Sequence, residues 1–575
     1  AVAGNLVNLY VSPSILSVLE RQASFSEFIA TVLLFVLLIM FCSAASSYVD
    51  SNTIYGRITV RSFLIADINR KACTTSYPNL TDETFIKLSS KAQQAISGNR
   101  EATEAIWETL ASLMKNSIGF VIYLFLLVSL NLWLMIVILL TALIGYFVNK
   151  KLTGYGYRHR EEEGEISAKI WYQIGQAKNY AAAKDIRIFG MRPWLQEISD
   201  KAMAAYTAFH RRANNIYIWG KILDCILAFL RNGLAYGVLL YLVLTRGLSV
   251  SAFLLYFSAV NGFTAWVSGI LESMTTLYRQ SLDISTVREF LEYPEPFRFE
   301  GGEKPSASVG VRHELTLENV SFKYPEAEDF TLEDISFTIH PGEKIAVVGL
   351  NGAGKTTLVK LICGFFDPTQ GRVLLDGRDI REYNRQDYYA MFSAVFQNFS
   401  LLAGTVAANV AQSEENQDME RIKDCVEKAG LTAKINSLKN GYQTYLNRTV
   451  FEDGAELSGG EMQKLMLARA LYKKAPFIIL DEPTAALDPI AEADLYGKYN
   501  EMTRDRTSVY ISHRLASTRF CDRIFLISDH RIAEEGTHEE LLRLAGKYAQ
   551  LFEIQSKYYR EGDAYAKGNK AADLA

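Results

Sequence analysis

Long uncharged runs dominate the first half of the chain. Residues 28–49, 116–149 and 247–271 contain no charged side chain, and residues 222–245 contain only two. An α-helix needs about 20 predominantly apolar residues to cross the hydrocarbon core of a bilayer. The run 116–149 is too long for one crossing and contains Ser129-Leu130-Asn131, so it predicts two helices that meet at a tight turn. Together these runs predict five membrane spans.

The first 19 residues are also uncharged, but they contain Asn5, Asn8 and Pro13. Polar residues and a proline make this stretch a poor complete span, and we expect it to be the end of a membrane helix. The chain begins Ala-Val-Ala, without Met and without the pattern of a signal peptide. We therefore expect the sequence to start partway through a longer one.

Charges between the apolar runs predict their orientation. Residues 50–115 hold 8 Lys and Arg and residues 150–221 hold 13, whereas the turns near 129–132 and 245–250 hold none and one. The positive-inside rule places the two basic segments in the cytoplasm. Helix-forming residues at 89–110 and 160–184 predict helices that extend from the membrane into the cytoplasm. The alternative is a membrane anchor followed by a soluble coiled segment.

Polar side chains inside membrane spans are candidates for substrate contacts. Asp224 and Arg231 are seven residues apart and share one helix face. Arg231 would instead lie at the headgroup level if its helix extends into the cytoplasm. The candidates for a substrate cavity are Arg231, Asn232, Asn261 and Trp266. Packing of these side chains against neighbouring helices is the alternative interpretation.

Composition changes after the last apolar run. Three prolines and a glycine pair punctuate residues 292–310, which is typical of a linker. The net charge of −4 divides into +4 for residues 1–300 and −8 for the rest, as expected for a membrane part joined to a soluble part. Neither half has the strongly basic character of a nucleic-acid-binding domain. The 6 cysteines form no C-x-x-C pair and the 7 histidines show no metal-ligand spacing, which argues against zinc and redox motifs.

A phosphate-binding motif follows a strand-like run at 344–348. It fits G-x-x-x-x-G-K-[ST] and precedes a helical pattern, which is the context that this motif requires. Its backbone N–H groups would surround phosphates, Lys355 would reach the β and γ oxygens, and Thr356 would offer a hydroxyl to Mg²⁺. The residues assigned to this loop are Gly349, Leu350, Asn351, Gly352, Ala353, Gly354, Lys355, Thr356 and Thr357.

Two acids follow a second apolar run at 477–480. A buried strand there would deliver Asp481 and Glu482 to the carboxyl edge of an α/β sheet, where nucleotide chemistry occurs. We expect Asp481 to hold Mg²⁺ and Glu482 to act as general base towards the attacking water.

The sequence Leu457-Ser458-Gly459-Gly460-Glu461 closely resembles the signature of the ATP-binding cassette (ABC) transporters. Other landmarks of that family occur in order: an adenine-stacking aromatic, a glutamine linking Mg²⁺ and γ-phosphate to the membrane domain, a loop that crosses to the partner, and a switch histidine. The matching positions are Tyr324, Gln397, residues 485–488 and His513.

This resemblance implies an exporter-type half-transporter that uses ATP and Mg²⁺. Its fold would be an all-α membrane bundle of nominally six helices, the first incomplete, followed by an α/β P-loop ATPase domain. The implied limits are 1–293 for the membrane domain, 294–312 for the linker, 313–555 for the ATPase domain and 556–575 for a tail. The resemblance also implies catalytic roles for Glu482, His513 and Gln397, with Mg²⁺ held by Thr356, Gln397 and Asp481.

The family's mechanism implies a partner. Two ATPase domains would meet head to tail, so that Ser458, Gly459, Gly460 and Glu461 act on ATP held by the other half-transporter, in a homodimer or a heterodimer. Segments near 74–85 and 175–187 would transmit the motion to the spans. Glu461 stands where the family more often has Gln, and it would slow hydrolysis modestly or be neutralised by a cation such as Lys464.

The resulting hypothesis is ATP-driven export of a peptide, lipid or drug-like amphipathic substrate. We expect a multi-pass protein of a bacterial inner membrane, with a cytoplasmic ATPase domain and no nucleic-acid partner. The alternatives are an importer with the same fold, a channel or regulator gated by ATP, and a soluble ABC ATPase of nucleic-acid or ribosome metabolism. The predicted spans argue against the soluble class.

Overall fold

The computed structural model describes residues 2–128, 132–179, 182–247, 249–306, 311–325, 327–397, 400–448, 450–481, 503, 506–512 and 515–556. The chain divides into two compact units. We name each unit after the function predicted for it from the sequence. The membrane unit comprises Ala1–Thr74 and Glu83–Tyr293, and the ATPase unit comprises Thr75–Asp82 and Pro294–Ala575. The grouping of residues 75–82 with the ATPase unit was not evident from hydropathy or composition.

The described part of the membrane unit is helical. Six of its helices are long and apolar enough to cross a membrane: α1, α2, α4, α5, α8 and α9. The nine helices are α1 (Val2–Glu20), α2 (Phe25–Thr74), α3 (Glu83–Ile96), α4 (Ala102–Val128), α5 (Leu132–Arg158), α6 (Arg160–Lys178), α7 (Ala183–Ile188), α8 (Arg192–Arg246) and α9 (Val250–Leu291).

Helix lengths confirm that these helices extend past the apolar core of a bilayer. Helices α2, α8 and α9 have 50, 55 and 42 residues, or about 75, 83 and 63 Å at 1.5 Å per residue. A hydrocarbon core is only about 30 Å thick. Helix α4 ends at Val128 and α5 begins at Leu132, so the break in the run 116–149 falls where it was predicted. The turn residues 129–131 themselves lie outside the described residues.

The first described residues, Val2–Glu20, form a helix that could cross a membrane by its length and composition. Helix α1 has 19 residues and contains Pro13, and its length of about 28 Å nearly matches the bilayer core. It is therefore a sixth candidate span. Pro13 is compatible with a membrane helix, because such helices tolerate proline better than soluble helices do. That α1 is the end of a longer helix stays a prediction.

Helices α4 and α9 interlock through aromatic side chains that face glycines. A Cβ added at Gly119 would lie 2.5 Å from the ring of Trp266, and Gly262 faces the ring of Tyr123 in the same way. Tyr123 and Trp266 are only 4% and 6% exposed, and their ring centroids are 6.0 Å apart. Small residues of this kind let membrane helices approach closely, so this pairing accounts for Trp266 as a packing residue.

A leucine at Gly119 should disrupt this interface. The new side chain would occupy the space of the Trp266 ring, and overpacking of this kind costs about 1–3 kcal/mol. We expect Gly119→Leu to lower the thermal unfolding midpoint in detergent. The matched control is Gly233→Leu, because nothing lies within 4 Å of a Cβ added there. Equal destabilisation by the two variants would contradict this account of the interface.

The ATPase unit contains two sheets in its described part. An antiparallel sheet has the order β2-β1-β4-β5, and a six-stranded sheet has the order β10-β9-β3-β8-β7-β6. The strands are β1 (Leu315–Phe322), β2 (Leu332–Ile339), β3 (Lys344–Val348), β4 (Gln370–Leu375), β5 (Arg378–Asp379), β6 (Phe392–Val395), β7 (Phe477–Asp481), β8 (Thr507–Ile511), β9 (Arg523–Ser528) and β10 (Arg531–Gly536).

Strands β6, β7, β8, β3 and β9 of the larger sheet run parallel. All residues of β7 and β8 are buried, as expected for parallel strands with both faces covered. The surrounding helices are α10 (Lys355–Ile362), α11 (Arg385–Ala390), α12 (Val406–Ala411), α13 (Met419–Lys428), α14 (Thr432–Ser437), α15 (Gly459–Lys473) and α16 (His538–Leu544). A further helix covers residues 547–556. The observed architecture, a helical unit with candidate membrane spans followed by an α/β unit, confirms the predicted fold class.

Candidate nucleotide site

Strand pairing brings three separate parts of the sequence to one edge of the larger sheet. Val347 of β3 pairs with Ile511 of β8, and Ile511 pairs with Asp481 of β7. Strand β6 runs parallel to β7, so Gln397, two residues beyond β6, lies at the same edge. The loop after β3 therefore faces Asp481 because parallel strands present their carboxyl ends together.

The loop after β3 needs glycine at two positions. Gly354 has φ +98°, and a Cβ there would lie 2.7 Å from Leu332 Cδ2 and 3.0 Å from the Thr331 carbonyl oxygen. A Cβ at Gly349 would lie 2.5 Å from the carbonyl oxygen of Ile527. Any other residue would push the loop away from the sheet. Gly354 is also the N-cap of α10, so the first N–H groups of that helix open onto the loop.

Lys355 lies folded into this loop. Its side chain is buried, and Nζ donates hydrogen bonds to the carbonyl oxygens of Gly349 at 2.9 Å and Leu350 at 3.0 Å. The ammonium group is thus held where the loop closes. Phosphate oxygens placed within the loop would find both this cation and the N-terminus of α10, a combination suited to a polyphosphate.

The residues predicted to hold Mg²⁺ include a contacting pair. The hydroxyl of Thr356 donates to Oδ2 of Asp481 at 3.3 Å, and Asp481 is only 2% exposed at the end of β7. Hydroxyl and carboxylate oxygens are hard ligands of the type that Mg²⁺ prefers, usually together with phosphate oxygens. The two residues therefore fit a magnesium ion, and they do so beside the phosphate loop.

Tyr324 is fixed beside the same helix. Its hydroxyl and that of Thr357 are 3.1 Å apart and share a hydrogen bond. Its ring meets those of Phe322 and Phe366 edge-on, with centroid distances of 5.1 and 5.5 Å. A tyrosine held in this way is pre-positioned next to the phosphate loop, and adenine stacking on it stays a prediction.

Several predicted site residues lie outside the described part of the chain. They are Glu482, residues 485–488 and His513. Their described neighbours do reach the site edge, because Asp481 ends β7 and Ser512 follows β8. In the membrane unit Arg231 and Trp266 are buried, Asn232 is partly buried and Asn261 is exposed; a substrate cavity formed by these four residues stays a prediction.

The signature sequence forms the start of a helix. Ser458 is the N-cap of α15, and Gly459 and Gly460 are its first two residues. The Ser458 hydroxyl accepts from the Glu461 N–H at 3.4 Å, while Glu461 Oε2 accepts from the Ser458 N–H at 2.8 Å. This reciprocal capping box gives Glu461 a structural task that the sequence comparison with Gln did not indicate.

The negative charge of Glu461 is paired by a different lysine from the one suggested. Lys434 of α14 places Nζ 3.1 Å from Glu461 Oε1, whereas the sequence pointed to Lys464. Burial raises the pKa of the Glu461 carboxyl, but hydrogen bonds from Ser458 and the interaction with Lys434 outweigh it and hold the pKa below its ordinary value. Proximity in sequence failed here because Lys434 reaches Glu461 only through tertiary packing.

The Lys434–Glu461 pair should contribute to stability only while Glu461 is ionised. A carboxyl with a lowered folded-state pKa stabilises the fold above its unfolded pKa, and the effect is lost as the pH falls through the folded-state value. In a double-mutant cycle of Lys434→Met and Glu461→Gln, we expect a coupling of about 0.5 kcal/mol at pH 7 that decreases towards pH 3.5. The coupling is obtained from the free energies of unfolding of the four proteins, measured in denaturant. The control cycle combines Lys464→Met with Glu461→Gln and should give no coupling. A coupling as large as that of Lys434 would contradict the pairing of Glu461 with Lys434.

Comparisons with known proteins agree with this geometry. Residues 332–485 match the family model described as ABC transporter. Over 307 residues the chain is 38% identical to an ATP-dependent lipid A-core flippase of Burkholderia orbicola, covering 52% of this chain and 50% of the flippase. The protein of the same name from Cupriavidus pinatubonensis is also 38% identical, with 52% and 51% covered. The chain thus spans about half the length of the curated relatives that it matches.

The fold of the whole chain has a counterpart among solved structures. It matches the structure of a bacterial Atm1-family ABC exporter with ATP bound, with a TM-score of 0.80, 23% identity and 96% of each chain covered. At this identity the match concerns the fold. Residues 332–485 therefore belong to an ABC transporter domain, and the chain as a whole has the fold of that ABC exporter, with a helical unit followed by an α/β unit.

Proposed function

We propose that this chain is one half of a membrane exporter that hydrolyses ATP to drive transport. The observation that carries the proposal is the presence of both parts in one chain: a phosphate loop with Lys355 next to the Thr356–Asp481 pair, and six helices able to cross a membrane. A soluble ABC ATPase would have no use for such helices. The six apolar helices found among the described residues therefore favour the transporter class over the soluble class.

The chemistry proposed for the site follows from the described residues. Lys355 exchanges its two carbonyl acceptors for the β and γ oxygens of ATP, which are better partners for an ammonium group. Thr356 and Asp481 hold Mg²⁺, which when bound offsets the charge of the phosphates. Glu482, directly after Asp481, accepts a proton from the attacking water. Gln397, just beyond β6 at the same edge, and His513, two residues after β8 in the sequence, orient the γ-phosphate and the water.

The proposed partner is a second copy of the chain. Gly459 and Gly460 are the first two residues of α15. The first N–H groups of a helix have no acceptor within it, and such groups favour an anion. We propose that this end binds the γ-phosphate of ATP held by the other copy, so that ATP joins the two ATPase domains. Hydrolysis then removes the bridging phosphate and separates them.

The proposed substrate is an amphipathic lipid. Among peptides, lipids and drug-like molecules, lipids are favoured because the named relatives are lipid A-core flippases. The proposed location is a bacterial inner membrane with the ATPase domain in the cytoplasm. The excess of Lys and Arg in the two segments between the spans supports this orientation.

Two variants test hydrolysis and transport together. Lys355→Met should lose ATP binding, whereas Glu482→Gln should bind ATP yet lose more than 90% of turnover, because it keeps the phosphate contacts and removes the base. The measurements are ATP binding, phosphate release and ATP-dependent flipping of a fluorescent phospholipid in inverted vesicles. Unchanged turnover in Glu482→Gln would contradict the assigned base. Uptake in the opposite direction would identify an importer, and absence of ATP-dependent flipping would contradict lipid export.

A mixing experiment tests whether the signature acts on the partner. Homodimers of Lys355→Met lack an intact phosphate loop, and homodimers of Ser458→Arg lack an intact signature. If the site is composite, the mixed dimer regains one intact site, from the loop of one chain and the signature of the other. We expect co-purified mixtures to recover about a quarter of wild-type ATPase activity. No recovery would show that the signature acts within its own chain or on a different partner subunit.

A further inference from the structure

The carboxylate of Glu295 binds the turn that connects α2 to α3. Glu295 lies just beyond the last residue of the membrane unit, Tyr293. Its Oε1 accepts from the Thr75 hydroxyl at 2.9 Å, and its Oε2 accepts from the N–H and hydroxyl of Ser76 at 2.7 and 2.6 Å. Thr75 and Ser76 are 9% and 0% exposed. A carboxylate with three short hydrogen bonds to buried groups is a strong attachment point.

Further hydrogen bonds join the same two segments. Asn79, which is 6% exposed, donates from Nδ2 to the Pro294 carbonyl at 3.0 Å and to the Thr75 hydroxyl at 2.9 Å. The Phe297 N–H donates to the Ser76 hydroxyl at 3.3 Å. We call this set of residues 75–79 and 294–297 the linker clamp. It ties the chain leaving α9 to the connection between α2 and α3.

Within the clamp, the turn residues 75–79 pack through Tyr77 against aromatic residues next to the nucleotide site. The ring of Tyr77 lies 4.9 Å from that of Phe365 and 5.3 Å from that of Phe366, both just beyond α10. Phe366 contacts Tyr324 at 5.5 Å, and Phe365 contacts Phe396 at 5.8 Å. Phe396 precedes Gln397. The clamp is therefore packed against rings that adjoin both the phosphate-loop helix and the segment carrying Gln397.

The linker residues 294–299 also have fixed contacts within the ATPase unit. The guanidinium of Arg385 lies 4.0 Å from the centre of the Phe297 ring, and it pairs with Asp367 at 2.7 Å. The side chain of Asn384 donates to the carbonyl of Phe299 at 2.6 Å. Although its composition is that of a flexible linker, this part of the chain has fixed contacts on both sides of Glu295.

We propose that Glu295 is a positioning residue that makes three helix ends of the membrane unit respond together to nucleotide. The C-terminus of α2, the N-terminus of α3 and the C-terminus of α9 are each connected covalently to the clamp. A rearrangement around Phe365 and Phe366 on ATP binding then moves residues 75–79 and 294–297 together and not as two independent chain segments. This inference rests on the proposed ATP site, but concerns transmission and not hydrolysis.

Substitutions at Glu295 should act in a graded order. A glutamine retains one carbonyl oxygen for Ser76 and turns its amide towards the Thr75 hydroxyl, which can accept. An alanine removes every acceptor and leaves the buried donors of Thr75 and Ser76 without partners. The matched control is Glu300→Ala, which removes an exposed carboxylate from the same linker.

The test is hydrogen–deuterium exchange of the full-length chain in nanodiscs, with and without a non-hydrolysable ATP analogue and Mg²⁺. In the wild type, we expect the analogue to protect residues 349–357 and to change exchange in residues 60–74, 83–96 and 280–291. In Glu295→Ala, protection of 349–357 should persist, while the changes in the three helix ends fall by at least half. Exchange in residues 75–82 should become about tenfold faster without nucleotide. Glu295→Gln should be intermediate, and Glu300→Ala should match the wild type.

The outcomes separate transmission from nucleotide binding. Helix-end responses that persist unchanged in Glu295→Ala, or that are lost equally in Glu300→Ala, would overturn the inference. So would a wild type that protects residues 349–357 without any change in the helix ends. Absence of protection at 349–357 in the wild type would contradict the proposed ATP site itself, and with it this inference.

Discussion

Parallel pairing of β3, β8 and β7 is the constraint on which the nucleotide site depends. The three strands are buried except for the partly exposed Lys344 of β3, and each ends at the same edge of the sheet. The chain must leave the sheet there, so the residues that follow each strand meet although they are far apart in sequence. This arrangement places Lys355 and Thr356 beside Asp481 without any local contact between their segments. Hydrophobic burial of the strands thus sets the geometry of a polar site.

The membrane unit depends on a different constraint, the need to satisfy backbone hydrogen bonds inside a bilayer. Helices meet this need by themselves, and their association then relies on shape. The facing of Gly119 with Trp266 and of Gly262 with Tyr123 is a packing solution of this kind. It explains why two small residues occur within long runs of larger apolar ones.

The two units meet covalently at chain segments that look unremarkable in sequence. Residues 75–82 lie between two long helices, and residues 294–297 have a proline-rich linker composition. In the structure both belong to the ATPase unit, and Glu295 joins them through groups that are buried. A linker that is irregular in backbone conformation is therefore not necessarily loose, because side-chain hydrogen bonds can fasten it.

The sequence by itself determined the elements and the chemistry that rests on local patterns. Uncharged runs located the spans, strand-like runs located β3 and β7, and the phosphate loop was identifiable because its glycines and Lys355 are consecutive. Only the tertiary structure decided which distant side chains meet: Lys434 with Glu461, Trp266 with Gly119, and Glu295 with Ser76. Apolar periodicity reflects one element and its environment, whereas these contacts depend on how separate elements pack.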